Sequence, residues 1–292
     1  MSFLLNADLS AFDKFIEIIK VFVLGIVEGI TEWLPVSSTG HLILVEDLLK
    51  FRTSEGFFDL FLVVIQLGAI AAVPVLFWDK IYPFSRKKTA EERKQIYGLW
   101  LKVIVGVMPA AVLGLLLDDI LEEYLLNSVV VAIALIVYGI AFILIEHFKK
   151  GKEYRIDSVY DITYRDALAI GAFQCLSLVP GTSRSGSTIL GGMLSGVSRA
   201  AASEFSFFMA IPVMLGASGL KTVKFFLDGG SLTGFEWLLL ALGVIFSFVI
   251  SLLAIKFLMS FVKRHSFAPF GIYRIILGIA VLVCFIVGML NA

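Results

Sequence analysis

The chain has 292 residues, of which 59% are apolar and only 16% are charged, and its mean hydropathy is +0.95. A soluble domain is about one quarter charged, so a chain of this composition is expected to be an integral membrane protein. The 24 basic residues balance the 24 acidic ones, which argues against nucleic acid as a partner because a phosphate backbone calls for a basic surplus.

Six apolar stretches are long enough, or nearly so, to cross about 30 Å of hydrocarbon as helices. They predict spans at 59–78, 100–117, 128–146, 204–220, 237–255 and 271–290. A helix satisfies its own backbone hydrogen bonds in lipid, and the sequence lacks the alternation of a membrane β-barrel. The predicted fold class is therefore all-α, a polytopic membrane protein with a single membrane domain, 1–292.

Two further apolar stretches, 21–46 and 167–199, are each interrupted by a polar segment rich in Gly, Pro and Ser. The apolar runs on either side of each break are too short to span, so they predict two re-entrant helix hairpins. Irregular backbone at membrane depth is tolerated only where it is buried in protein or faces water. Both breaks are therefore candidate sites.

Basic residues concentrate in the loops 79–99, 147–166 and 256–270, and we place these loops in the cytoplasm. The loop at 118–127 contains no Lys or Arg and is placed outside. Both termini then lie outside. The first hairpin enters the membrane from the outer face and the second from the inner face.

The two halves of the chain resemble each other. A shift of 146 residues aligns GIVEGITEWLPVSSTG (25–40) with GAFQCLSLVPGTSRSG (171–186). Three spans per half is an odd number, so the first repeat, 1–146, and the second, 147–292, are predicted to be inverted relative to each other. Inverted repeats with broken helices place a binding site near the membrane midplane, where the repeats meet.

The first break follows an acidic pair, Glu28 and Glu32. Residues four apart lie on one face of a helix, with Cβ atoms about 6 Å apart. Two like charges at membrane depth are costly unless a cation, an arginine or a shared proton compensates them. Mg²⁺ and Ca²⁺ prefer carboxylate oxygens, and Mg²⁺ is often shared with a substrate phosphate, so Glu28 and Glu32 are the predicted metal ligands.

The second break, PGTSRSGST (180–188), has the composition of a phosphate-binding loop. Gly181 and Gly186 permit open turns whose N–H groups can hold an anion. Arg184 offers a forked, permanently charged donor suited to phosphate. The predicted substrate-binding residues of the two breaks are Ser37, Thr39, Gly181, Thr182, Ser183, Ser185 and Thr188.

His41 ends the first break, PVSSTGH (35–41), and is the only one of three histidines at a polar site of membrane depth. A histidine close to Ser37, Ser38 and Thr39 supplies a base and a hydroxyl nucleophile within a few residues. The residues alone do not indicate which hydroxyl points inward.

EGITEWLPVSSTGH (28–41) and PGTSRSGST (180–188) resemble the two signature motifs of the bacterial undecaprenyl-diphosphate phosphatases of the bacitracin-resistance type. The resemblance covers essentially the whole chain. It implies hydrolysis of undecaprenyl diphosphate to undecaprenyl phosphate and inorganic phosphate, which recycles the lipid carrier for cell-wall synthesis. It also implies bacitracin resistance, because that drug sequesters the substrate.

The same resemblance implies a site open to the outer face of the plasma membrane and dependence on Mg²⁺ or Ca²⁺. Carried over position by position, it implies that the catalytic residues are Glu28, Glu32, Ser38, His41 and Arg184, with Ser183 in the phosphate loop.

Several alternatives stay open at this point. Ser38 or a water molecule attacks the terminal phosphorus, and His41 or one of the glutamates handles the proton. A transporter or flippase for a polyprenyl phosphate would use the same architecture, although transport needs no nucleophile. The partners expected are the polyprenyl diphosphate and membrane lipids, and association as a homodimer is left open.

Overall fold

The computed structural model describes residues 10–49, 51–54, 56–125 and 127–288. Within these ranges the regular structure consists of ten α-helices and two single 3₁₀ turns, with no β-strand, which confirms the all-α prediction. The helices are α1 (Ala11–Thr31), α2 (Ser38–Leu49), α3 (Phe57–Ile81), α4 (Ala90–Leu125), α5 (Ser128–Lys149), α6 (Tyr164–Cys175), α7 (Arg184–Leu194), α8 (Arg199–Leu227), α9 (Gly234–Val262) and α10 (Ala268–Ile286).

Six of these helices, α3, α4, α5, α8, α9 and α10, are long and apolar enough to cross a membrane, as predicted. Most extend beyond the predicted spans, because helical hydrogen bonding continues into polar residues that leave the hydrocarbon. α4, for example, begins at Ala90 and α8 at Arg199. α10 ends at Ile286, and the last two residues of the predicted span 271–290 lie outside the described residues.

The other four helices form two interrupted pairs at the predicted breaks. α1 and α2 flank residues 32–37, and α6 and α7 flank residues 176–183. α1 begins well before residue 21 because Ser10 caps it, accepting a hydrogen bond from the Asp13 backbone N–H at 3.1 Å. The return of each pair to its own side of the membrane stays a prediction.

Close helix crossings hold the bundle together. α5 packs against α10, α3 against α8 and α9, α1 against α9, and α4 against α6. Where α5 crosses α10, a Cβ on Gly139 or on Gly271 would lie 2.6 Å from the other glycine's carbonyl oxygen, so only glycine permits this approach. If α1–α5 and α6–α10 are two repeats, α1 corresponds to α6 and α4 corresponds to α9. The contact between α1 and α9 then corresponds to the contact between α6 and α4. Repeats would produce this pairing; their inverted orientation stays a prediction.

α8 is the most enclosed of the spanning helices. In its most apolar 18-residue window 56% of the residues are buried, against 22% for α4, whose surface is left for lipid. Phe205, Phe207 and Phe208 of α8 are buried in the main core. Trp33, in the first break, packs edge-to-face on Phe207 with ring centroids 5.2 Å apart. The first break is therefore anchored on a helix of the second half.

The three basic loops come together at one end of the bundle. The Tyr160 hydroxyl donates to the Lys80 carbonyl at 2.9 Å, which joins the first of these loops to the second. Glu146, at the end of α5, accepts from the Phe267 backbone N–H at 2.7 Å and so reaches the third. The prediction that the three basic loops lie on one side of the membrane agrees with this arrangement. Their assignment to the cytoplasm stays a prediction.

Candidate active site

Glu28 lies in the last turns of α1, fully buried. Among the described residues, neither of its carboxylate oxygens has a hydrogen-bond partner. Glu32 caps the same helix one turn later, and its side chain is 8% exposed. A buried carboxyl group with two unpartnered oxygens is expensive unless a cation or a proton compensates its charge.

Arg184, the first residue of α7, crosses from the second half of the chain to Glu32. Its Nη2 lies 3.0 Å and its Nε 3.3 Å from Oε1 of Glu32, and its side chain is 11% exposed. The Ser185 hydroxyl also donates to the Glu32 carbonyl at 3.1 Å. We call residues 28–41 the first tip and residues 180–188 the second tip. Glu32 and Arg184 are 152 positions apart in sequence, and their buried contact joins the two tips.

Both tips turn into their second helix through a strained serine. Ser37 has φ +72° and Ser183 has φ +74°, and they are the only non-glycine residues with positive φ in the described part of the chain. Ser183 accepts from the Gly186 backbone N–H at 3.1 Å, and Ser37 from that of Gly40 at 3.4 Å. Such strain concentrates at functional sites, and a helix N-terminus favours anions.

Ser38 bonds to Glu32 of the acidic pair, whereas the ring nitrogens of His41 bond to other groups. The Ser38 hydroxyl donates to Oε2 of Glu32 at 3.3 Å. The His41 ring instead lies with Nδ1 2.7 Å from the Ser37 carbonyl oxygen and Nε2 2.6 Å from the Tyr273 hydroxyl. Both ring nitrogens of His41 are therefore bonded to groups other than the acidic pair.

The remaining predicted substrate residues occupy different positions. Gly181 has φ +87°, as an open turn requires, whereas Gly186 lies inside α7 and makes no open turn, so that expectation was wrong. Thr182 is buried, and the Thr188 hydroxyl is bonded within the protein, to the Ser206 hydroxyl at 2.7 Å. The side chain of Thr39 lies outside the described residues.

Arg274 of α10 is a central residue that our sequence analysis missed. It is fully buried, and its guanidinium donates to the carbonyls of Pro35 at 3.2 Å, Gly181 at 2.8 Å and Thr182 at 3.0 Å. One side chain therefore holds carbonyl groups of both tips. The signal was present, because an arginine within the predicted span 271–290 is itself a reason to suspect a functional position.

Ser206 of α8 was also missed. Its carbonyl accepts from Nη1 of Arg184 at 2.8 Å, and its hydroxyl lies 3.3 Å from the same nitrogen. Together with Glu32, Ser206 fixes the plane of the Arg184 guanidinium, so the side chain has little freedom to rotate. A lone serine in an apolar span is common, and nothing in the sequence distinguished this one.

A family model described as "Bacitracin resistance protein BacA" matches residues 21–280. This range contains both tips, Ser206 and Arg274. The chain belongs to the BacA family.

Its relatives include several proteins named undecaprenyl-diphosphatase. The chain is 54% identical over 270 residues to undecaprenyl-diphosphatase 1 of Clostridioides difficile (strain 630), covering 92% of this chain and 97% of that protein. It is 54% identical over 270 residues to the undecaprenyl-diphosphatase of Limosilactobacillus fermentum, covering 92% and 98%. It is 53% identical over 270 residues to that of Enterococcus faecalis, covering 92% and 97%.

Proposed function

We propose that this member of the BacA family is a membrane phosphatase that hydrolyses undecaprenyl diphosphate to undecaprenyl phosphate and inorganic phosphate. This activity recycles the lipid carrier for cell-wall synthesis and gives resistance to bacitracin. The observation that carries the proposal is the contact of Arg184 with Glu32, beside the Ser38 hydroxyl. It joins a phosphate-binding cation, an acidic group and a nucleophile at one buried point.

Arg184 binds the terminal phosphate in this mechanism. Phosphoryl transfer depends mainly on positioning and on neutralising charge at the phosphoryl oxygens. Nη1 of Arg184 bonds to Ser206 and Nη2 to Glu32, so the guanidinium is oriented before substrate arrives. The N–H groups at the starts of α2 and α7 add donors for the diphosphate.

In this mechanism Ser38 supplies the nucleophile and Glu32 takes its proton. The hydroxyl already donates to Oε2 of Glu32 at 3.3 Å. As the Ser38 oxygen bonds to the terminal phosphorus, the bond from that phosphorus to the bridging oxygen breaks and undecaprenyl phosphate leaves. Water then hydrolyses the phosphoserine to inorganic phosphate, with His41 as the second proton-handling group.

A divalent cation fits the acidic side of the site. Both oxygens of Glu28 are buried without a partner among the described residues, which suits a ligand that arrives with substrate. The described part of the chain gathers no group of three or more His, Cys, Asp or Glu for a metal ion. Glu28 and Glu32 are the residues that would hold Mg²⁺ or Ca²⁺. When bound, the ion neutralises charge on the transferred phosphoryl group.

The site is proposed to open to the outer face of the bacterial plasma membrane, with both termini outside. The positive-inside rule supports this, since the three basic loops share one end of the bundle. In a chain whose Cys175 and Cys284 are replaced, Arg52→Cys should react with an impermeant thiol reagent on intact cells. Lys87→Cys should react only after permeabilisation, and the reverse pattern would overturn the orientation.

The decisive experiment is phosphate release from undecaprenyl diphosphate by purified protein in detergent, with Mg²⁺ or Ca²⁺ supplied. Detergent micelles have no second compartment, so a flippase or transporter would release no phosphate from the substrate. We expect turnover that is lost when the cations are chelated. Absence of release from folded protein, with either ion present, would refute the enzyme.

A further inference from the structure

His41 and Tyr273 form a close pair across the two halves of the chain. Nε2 of His41 lies 2.6 Å from the Tyr273 hydroxyl oxygen, and the rings are nearly parallel, with an interplanar angle of 11° and centroids 5.6 Å apart. His41 belongs to the first tip and Tyr273 to α10. The residue after Tyr273 is Arg274, which holds both tips.

The two partners of His41 determine which ring nitrogen carries the proton. A backbone carbonyl only accepts, so the 2.7 Å contact with the Ser37 carbonyl requires a hydrogen on Nδ1. In the neutral ring Nε2 is then the acceptor, and the Tyr273 hydroxyl must donate to it. The basic nitrogen of His41 is thereby bonded to the Tyr273 hydroxyl.

We propose that Tyr273 is a positioning residue of this site, whose hydroxyl, with the Ser37 carbonyl, holds His41 as the Nδ1–H tautomer. The inference rests on the proposed role of His41 in proton handling. When Nε2 takes up the proton that the attacking water releases, its new N–H donates to the Tyr273 oxygen. The hydroxyl hydrogen of Tyr273 is then free to bond a water or a phosphate oxygen.

Tyr273 can be changed without disturbing the core. Its side chain is 44% exposed, and Tyr273→Phe removes only the hydroxyl. Tyr97→Phe is a matched control, since Tyr97 lies on another spanning helix, α4, is 47% exposed, and packs its ring on Phe84. The control should leave both readouts below unchanged.

The first readout is ¹⁵N NMR of histidine-labelled protein in detergent. The chain has only three histidines, so the signals of His41 can be assigned by their loss in His41→Gln. We expect a neutral Nδ1–H tautomer in the wild type. In Tyr273→Phe, Nε2 no longer accepts a hydrogen bond from a hydroxyl, and its ¹⁵N resonance should shift accordingly. An Nε2–H tautomer in the wild type, or an unshifted Nε2 in Tyr273→Phe, would overturn the proposal.

The second readout is a kinetic cycle with undecaprenyl diphosphate. Tyr273→Phe should lower kcat about threefold to tenfold with KM unchanged, the effect of losing one hydrogen bond to the reacting machinery. In the His41→Gln background it should cause no further loss. Equal losses in both backgrounds would show that Tyr273 acts independently of His41. Full activity of His41→Gln would instead refute the role of His41 itself, and the NMR result would still decide the contact with Tyr273.

Discussion

The first break, residues 32–37, and the second, residues 176–183, use the same backbone device and carry opposite chemistry. Each ends on a serine with φ above +70°, and a new helix begins at the next residue. The aligned positions around them differ, however. Glu28 corresponds to Gln174, Glu32 to Leu178, Ser38 to Arg184 and His41 to Ser187.

This difference shows that neither tip is a site by itself. The first tip supplies acids, a hydroxyl and an imidazole, and the second supplies the permanent positive charge. A buried acid and a buried arginine each carry a large desolvation cost alone, which the other offsets only when the tips are in contact. The tips share a backbone geometry and are in contact, and the difference in their chemistry makes the point of contact a candidate site.

Removing the positive charge from the second tip should have the largest effect. Arg184→Gln is expected to lower kcat/KM at least about 10³-fold, because the developing phosphoryl charge loses its fixed cation. Arg184→Lys keeps the charge without the fork and should retain more activity. Phosphate release measures both.

The control for Arg184→Gln must separate catalysis from folding, since it leaves Glu32 buried without its ion partner. The double variant Glu32→Gln/Arg184→Gln removes both charges and should unfold nearer the wild-type temperature than either single variant. It should remain inactive. Substantial turnover in that double variant would refute the roles given to both residues.

Glu28→Gln gives the first tip the amide that Gln174 provides in the second. We expect a loss of about 10²-fold or more in kcat, together with a higher concentration of Mg²⁺ for half-maximal activity. Titration of turnover with Mg²⁺ separates these two effects. Gln174→Ala is the matched control at the aligned position and should leave the Mg²⁺ requirement unchanged. An unchanged requirement in Glu28→Gln would remove Glu28 from cation binding.

Arg274→Met should weaken the joint between the tips. Three carbonyl groups lose a charged donor, and we expect a loss of about 3 kcal/mol in unfolding free energy, visible as a lower unfolding temperature in detergent. Arg274→Lys should recover part of this loss. Wild-type stability in Arg274→Met would show that the tips are held together by other contacts.

The smallest effect is expected at the strained serines. Ser183→Gly should relieve about 1 kcal/mol of backbone strain while losing a helix cap worth a few tenths of a kcal/mol, so stability should change little. Ser183→Ala keeps the strain and loses a cap worth about 1 kcal/mol, so it should be about 2 kcal/mol less stable than Ser183→Gly. A difference of less than about 1 kcal/mol, which the cap alone explains, would mean that the positive φ costs nothing there.

Much of the candidate site could be predicted from the residues. Glu28, Glu32 and Arg184 stood out because charge is rare at membrane depth, and Ser37 and Ser183 stood out because they occupy aligned positions in the two polar breaks. Tyr273 and Ser206 could not be found in this way. Each sits in an apolar helix, where a tyrosine or serine usually only packs or bonds its own backbone.

The amino-acid sequence by itself determined that this protein is an all-α membrane protein with six spanning helices and two interrupted helix pairs. The lengths of the apolar stretches decide this, because in hydrocarbon the backbone N–H and C=O groups must be hydrogen-bonded within the protein. Only the tertiary structure decided that Arg184 reaches Glu32, that Arg274 bonds carbonyls of both tips, and that His41 turns to Tyr273 rather than to Ser38. These contacts join residues more than 90 positions apart, and such pairings arise from packing between helices, which no local pattern encodes.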